Sequence, residues 1–172
     1  MRHIGFSGGA LTVELGTVND VALFFECLKF FSEWKYPKQN WHLLTDRLYK
    51  RYLKQEEALA AKDQMMQVRQ LFTELPNSSV EWDKVNQVGH KNSKLNPELL
   101  TLADIFSRYF SAFFECLESA EVMFEEFKSY PNYQYEPLRV VITDMPLYLD
   151  DQHRSLAQYD ALGPDDLPFW LR

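Results

Sequence analysis

The side chains able to do chemistry are few and scattered. Four histidines, His3, His42, His90 and His153, stand far apart, and none sits in the HExxH, CxxC or CxxH spacing that gathers metal ligands. His42 and Asp46 are one helical turn apart, which suffices for two ligands, but no third follows at a comparable interval. They read as a salt-bridged surface pair. Asp150, Asp151, His153 and Arg154 concentrate titratable groups in one C-terminal segment. Adjacent carboxylates can hold a cation, yet a calcium loop needs spaced oxygens and a turn glycine that this segment lacks. Ser7-Gly8-Gly9 carries two glycines without the GxxxxGK(S/T) pattern of a phosphate loop, so it reads as a turn. Patterns of the GxSxG, kinase and dinucleotide-binding kinds are absent. No catalytic residue, cofactor or metal is expected, and the chain reads as a binding protein that is not an enzyme. The alternative is a small enzyme or ligand-binding protein with its site near the C-terminal acidic segment, where His153 would be the group to test.

Charge points the same way. The formal net charge is -7, and its distribution is uneven: residues 1–86 hold 11 Lys/Arg against 11 Asp/Glu, residues 87–172 hold 7 against 14. An acidic excess argues against direct nucleic-acid binding, because phosphate contacts are built on Lys and Arg. It suits a basic protein partner, since complementary potentials steer association. The opening residues lack the apolar stretch of a signal peptide, and no run approaches the ~18 apolar residues of a membrane span. A cytoplasmic protein without membrane contact is expected. Cys27 and Cys116 each fall inside an apolar helical pattern and read as buried free thiols.

At 172 residues, 46% hydrophobic and 15% aromatic, the chain is expected to form a single domain over residues 1–172 with a sizeable core. The expected fold is mainly α (α+β): a helical bundle around a long central helix, about residues 97–129, with a small sheet from the N-terminal segments and residues 138–143. Asn96 is a good N-cap, Pro97 suits the first helical position, and Pro131 stops the helix. Leu99, Leu102, Phe106, Tyr109, Phe113 and Leu117 follow at intervals of three or four, with Leu100 widening their stripe. Glu115, Glu118, Glu121 and Glu125 step along the opposite, exposed ridge.

Around it, Thr17 or Asn19 caps a helix to about Trp34 with Val21, Phe24, Phe25, Leu28 and Phe31 inward. Trp41–Lys54 reads as an amphipathic helix whose Arg47, Lys50, Arg51 and Lys54 form an exposed basic side. Glu56–Leu75 reads as a third, presenting Leu59, Met66, Val68, Leu71 and Phe72 to the core, and Gly89–Lys94 as a polar loop. Leu138–Thr143 has the composition of a strand. Phe169-Trp170-Leu171 would be wasted unless it packs back on the domain or into a partner.

The stretches WHLLTDRLYKRYLK and MMQVRQLFTELPNSSVEW, with the tail LAQYDALGPDDLPFWLR, resemble the small cytoplasmic immunity proteins that accompany bacterial polymorphic toxins, contact-dependent growth inhibition systems among them. The family catalogued as immunity protein forty-one is one such group. The resemblance implies an intracellular antidote that binds one cognate toxin domain, basic and in many cases a nuclease. It carries over no functional residues. The binding surface is therefore sought in surface texture, where acids and aromatics coincide: Glu115, Glu118, Glu121 and Glu125, then Asp150 and Asp151, with Tyr133 and Tyr135 as anchors.

Overall fold

A computed structural model describes residues 2–82, 92–144 and 155–171. The fold is α+β and mainly α, with 55% of the described residues helical and a three-stranded antiparallel sheet. Strands β1 (His3–Gly8) and β2 (Leu11–Thr17) form a hairpin, and β3 (Arg139–Ile142) pairs with the other edge of β1, in the order β2-β1-β3. Phe6 faces Val13 on one side and Val140 on the other.

The Gly8-Gly9 turn has a packing role. Gly9 has a φ of +58°, a left-handed conformation that favours glycine. At Gly8, a Cβ would lie 2.5 Å from the carbonyl oxygen of Cys116, inside the helix that crosses the hairpin. The glycine pair lets the hairpin tip touch that helix, where the Ala10 N–H donates to Ser119 Oγ at 3.0 Å. Since Gly8 itself has no positive φ, Gly8→Ala tests close approach alone. It is expected to cost about 1–3 kcal/mol of stability, read from chemical denaturation; an unchanged midpoint would show that the helix yields.

Helix α1 (Val18–Lys35) begins with a capping box between Thr17 and Asp20. Asp20 also accepts from the Lys94 N–H at 3.0 Å and from Ser93 Oγ, tying that segment to the helix start. The inward stripe is as expected, and Phe24 sits at the centre of an aromatic cluster, 4.8 Å from Tyr109, 5.4 Å from Phe106 and 5.6 Å from Phe110 between ring centroids. After Pro37 the chain makes a short helix whose middle, Leu43–Leu48, is π-helical. It does not continue to Lys54: Tyr52 bridges to Arg139, and the Leu53 N–H donates to Leu138 O.

Helix α2 (Ala58–Thr73) buries Ala58, Ala61, Met65, Val68, Leu71 and Phe72. Leu59 and Met66, expected inward, are instead 69% and 46% exposed. They are seven residues apart on a line of their own, beside the stripe that 58, 61, 65, 68 and 72 define.

The central helix starts later than its sequence suggests. Asn96 caps only a local turn, accepting from the Glu98 N–H, and the backbone of residues 100–102 runs beside 75–77 through Asn77 N to Leu100 O and Leu102 N to Leu75 O. Leu99 and Leu100 are consequently exposed. Thr101 is the cap, for the short helix α3 (Leu102–Ile105). Phe106 breaks the path with φ -101° and ψ 19°, and α4 (Ser107–Phe127) follows. It packs on the sheet through Phe113, whose ring meets Phe6 edge to face.

The C-terminal segment contains the short helix α5 (Ala157–Asp160) and a final 3-10 turn, Phe169–Leu171. It closes over β3 and the π-helical turn. Tyr159 donates its hydroxyl to Val140 O at 2.9 Å, and Trp170 donates its indole N–H to Tyr49 O at 2.9 Å. The expected return of Phe169-Trp170-Leu171 to the domain is observed, with Trp170 buried. Among the described residues, no helix is long and apolar enough to cross a membrane.

Candidate functional site

Helix α4 positions the acidic ridge. Its inner face is taken by Tyr109, Phe110, Phe113, Cys116, Leu117 and Ala120, which leaves Glu115, Glu118 and Glu125 exposed and Glu121 half-buried on the outside. Glu125 pairs with Lys128 at 2.8 Å. Glu115, Glu118 and Glu121 form no ion pair among the described residues. Val122 interrupts the acids at 56% exposure.

The four cations of the 47–54 segment do not neutralise this ridge, nor do they form an exposed basic side. Lys50 is buried, at 6% exposure, and its ammonium donates to the carbonyls of Gly163 and Pro164. Arg51 donates to the carbonyls of Tyr159, at 2.7 Å, and Leu162. Arg47 pairs with Glu57 at 3.4 Å and lies over the Tyr52 ring. Only Lys54 is exposed. The reason is geometric: the wider π turn shifts residues around the axis, and the chain leaves the helix at Arg51, so positions spaced for one α-helical face point in different directions.

Between the ridge and α2 runs a groove, made of two adjoining hollows of about 600 and 590 Å³ that share Met66 and Arg69. Phe110, Phe114 and Leu117 line its α4 side. One wall carries Lys62 and Arg69 from α2; the other carries Glu118, Glu121 and Val122 from α4. Arg69 rests on the Phe114 ring, 4.8 Å from its centroid, a cation–π contact that holds the guanidinium along the groove.

The chain has no match among family models, curated proteins or solved structures. What the surface can do must be taken from its own geometry.

Tyr133 and Tyr135 are half-buried. Tyr133 packs on Phe127 at 5.9 Å and Tyr135 on Phe124 at 5.6 Å. Burial, followed by the nearby charge of Glu121 among others, pushes the Tyr135 phenol well above its ordinary pKa. These two rings brace the C-terminal end of α4, and the freely exposed tyrosine of the segment is Tyr130, at 60%. Asp150, Asp151, His153 and His90 lie outside the described residues. His42 and Asp46 form an exposed pair at 3.7 Å, and no group of three metal-ligating side chains gathers among the described residues. Cys27 and Cys116 are buried free thiols; burial pushes the first up to about 12 and the second up to about 11, which suppresses thiolate chemistry.

Several exposed apolar residues escape a reading by hydrophobic stripe: Met66 and Val122 at the groove, and Phe30 and Trp34 on α1, at 65% and 62% exposure. Their signal is present in spacing. Phe30 and Trp34 are four residues apart, and Val122 falls four after Glu118 and three before Glu125, so each belongs to an outer face that periodicity identifies.

Proposed function

We propose that the protein is a cytoplasmic immunity protein that binds a cognate secreted toxin domain and neutralises it by protein–protein contact, without catalysis. The observation that carries this reading is the α4 ridge. Three of its glutamates stand without an ion pair among the described residues, and Arg47, Lys50 and Arg51 are occupied elsewhere. A row of unpaired carboxylates beside exposed Met66 and Val122 suits a basic partner that also offers apolar contacts. A nuclease domain is the expected toxin, because an enzyme that binds a polyanion presents cations that an acidic inhibitor can engage.

Co-expression with a candidate toxin domain, sought among the neighbouring reading frames, tests it: growth is expected to be restored, and the purified pair to associate at low salt. Toxicity that persists, with no association, overturns the proposal. In the pair, replacing Glu115, Glu118 and Glu125 together by lysine is expected to slow association at least about tenfold at low salt and to flatten its salt dependence. An unchanged on-rate, measured by stopped flow, would move the interface off the ridge.

A further inference from the structure

The groove between α2 and α4 is open along its length, yet its walls are chemically unlike each other. Over Ser107 to Val122 it extends on the order of 22 Å, at 1.5 Å per helical residue. Both walls are helices whose backbone groups are bonded internally, so the groove presents no strand edge. An extended peptide laid here would meet no ladder of backbone donors and acceptors, whereas a helix satisfies its own and brings only side chains. Met66 and Val122 supply exposed apolar contacts on opposite walls, with Phe114 between them.

Charge then fixes which helix. The α4 wall carries Glu118 and Glu121, with Glu115 and Glu125 on the ridge beyond; the α2 wall carries Lys62 and Arg69. The two acids and two cations of the lining stand on opposite walls, and with Glu125 paired to Lys128, Glu115 adds one further acid on the α4 side, so the field is lopsided across the groove. We infer that the groove docks one amphipathic helix of the partner, its apolar stripe on Met66, Phe114 and Val122, and its Lys/Arg flank over α4. The flank over Lys62 and Arg69 is neutral or acidic. For the partner's identity this rests on the neutralisation reading; the chemistry rests on the groove alone.

The test uses a peptide of about 15 residues, the length that spans the groove, with leucines at i, i+3, i+4 and i+7, lysines on one flank and neutral residues on the other, and a twin with glutamates in place of the lysines. With methionine methyl groups isotopically labelled, titration of the lysine peptide is expected to shift the Met66 resonance while that of buried Met65 stays. The glutamate twin should bind at least about tenfold more weakly. Val122→Arg, at a solvated position of good helix propensity, should weaken the lysine peptide by about tenfold or more without changing the melting temperature. Equal binding of the two peptides, shifts that avoid Met66, or indifference to Val122→Arg would overturn the inference. So would a dimer of the protein alone that Val122→Arg converts to monomer, since a second copy would then fill the groove. If rescue from the toxin fails while the lysine peptide binds as described, the neutralisation reading falls and the groove stands. If rescue succeeds while the peptide results fail, the groove falls alone.

Discussion

Replacing Trp170 by alanine is expected to remove about 3–5 kcal/mol of stability, seen as a lower denaturation midpoint. That would be a large share of the roughly 5–15 kcal/mol that holds a domain together. Trp170 is 1% exposed; its ring lies 5.7 Å from that of Tyr49, edge to face, and 6.1 Å from that of Phe25. Truncation empties this space and also leaves Tyr49 O without the indole donor at 2.9 Å. Trp170→Phe separates the two effects: it keeps much of the ring volume and loses the N–H, so about 1–2 kcal/mol is expected. Both variants should speed amide exchange in residues 155–171 before the core strands are affected, because this segment is held by a few anchors. A Trp170→Ala variant within about 0.5 kcal/mol of the parent would behave as a surface change. The C-terminal turn would then be an ornament on a core that is already complete.

That this turn docks is legible in the sequence, because three apolar residues after a run of acids and prolines have few other uses. The same holds for α1, whose capping box and inward stripe lie within 18 consecutive residues, and for the hairpin, where alternation and Ser7-Gly8-Gly9 act over short range. What escapes such reading depends on distant partners. Asn96-Pro97 carries a local start signal, yet the helical path begins at Thr101 because residues 100–102 pair with 75–77. The basic residues of 47–54 are misread for two reasons: the π turn changes their angular spacing, and their carbonyl partners lie more than a hundred positions away. The acidic ridge survives because spacing along a regular helix fixes its outer face. Its neighbour across the groove does not follow from α4 alone, so Lys62, Met66 and Arg69 emerge only once α2 is in place.

The second large effect concerns Lys50, a buried cation whose partners are neutral. Removing its ammonium leaves the carbonyls of half-buried Gly163 and exposed Pro164 without their donor, and takes the buried Lys50 stem's anchor away. Lys50→Met, which keeps the apolar stem and its packing, is expected to cost about 2–4 kcal/mol. Lys50→Ala adds lost packing and should cost more. Because carbonyls hold the cation in place of an exposed carboxylate, the loss should change little between low and high salt, whereas a surface pair such as Glu125–Lys128 fades as screening grows. A loss that shrinks steeply with salt would mean that long-range attraction to acids, and not the carbonyl bonds, holds the segment. The same variant also locates the binding surface. Asp160, Asp165 and Asp166 are exposed on the segment that Lys50 and Arg51 clamp, while the ridge and groove belong to α2 and α4. Below its own unfolding transition, Lys50→Met should therefore bind the proposed toxin partner and the lysine peptide as the parent does. A matching loss of toxin affinity, with peptide binding intact, would assign the toxin interface to the clamped acidic segment instead.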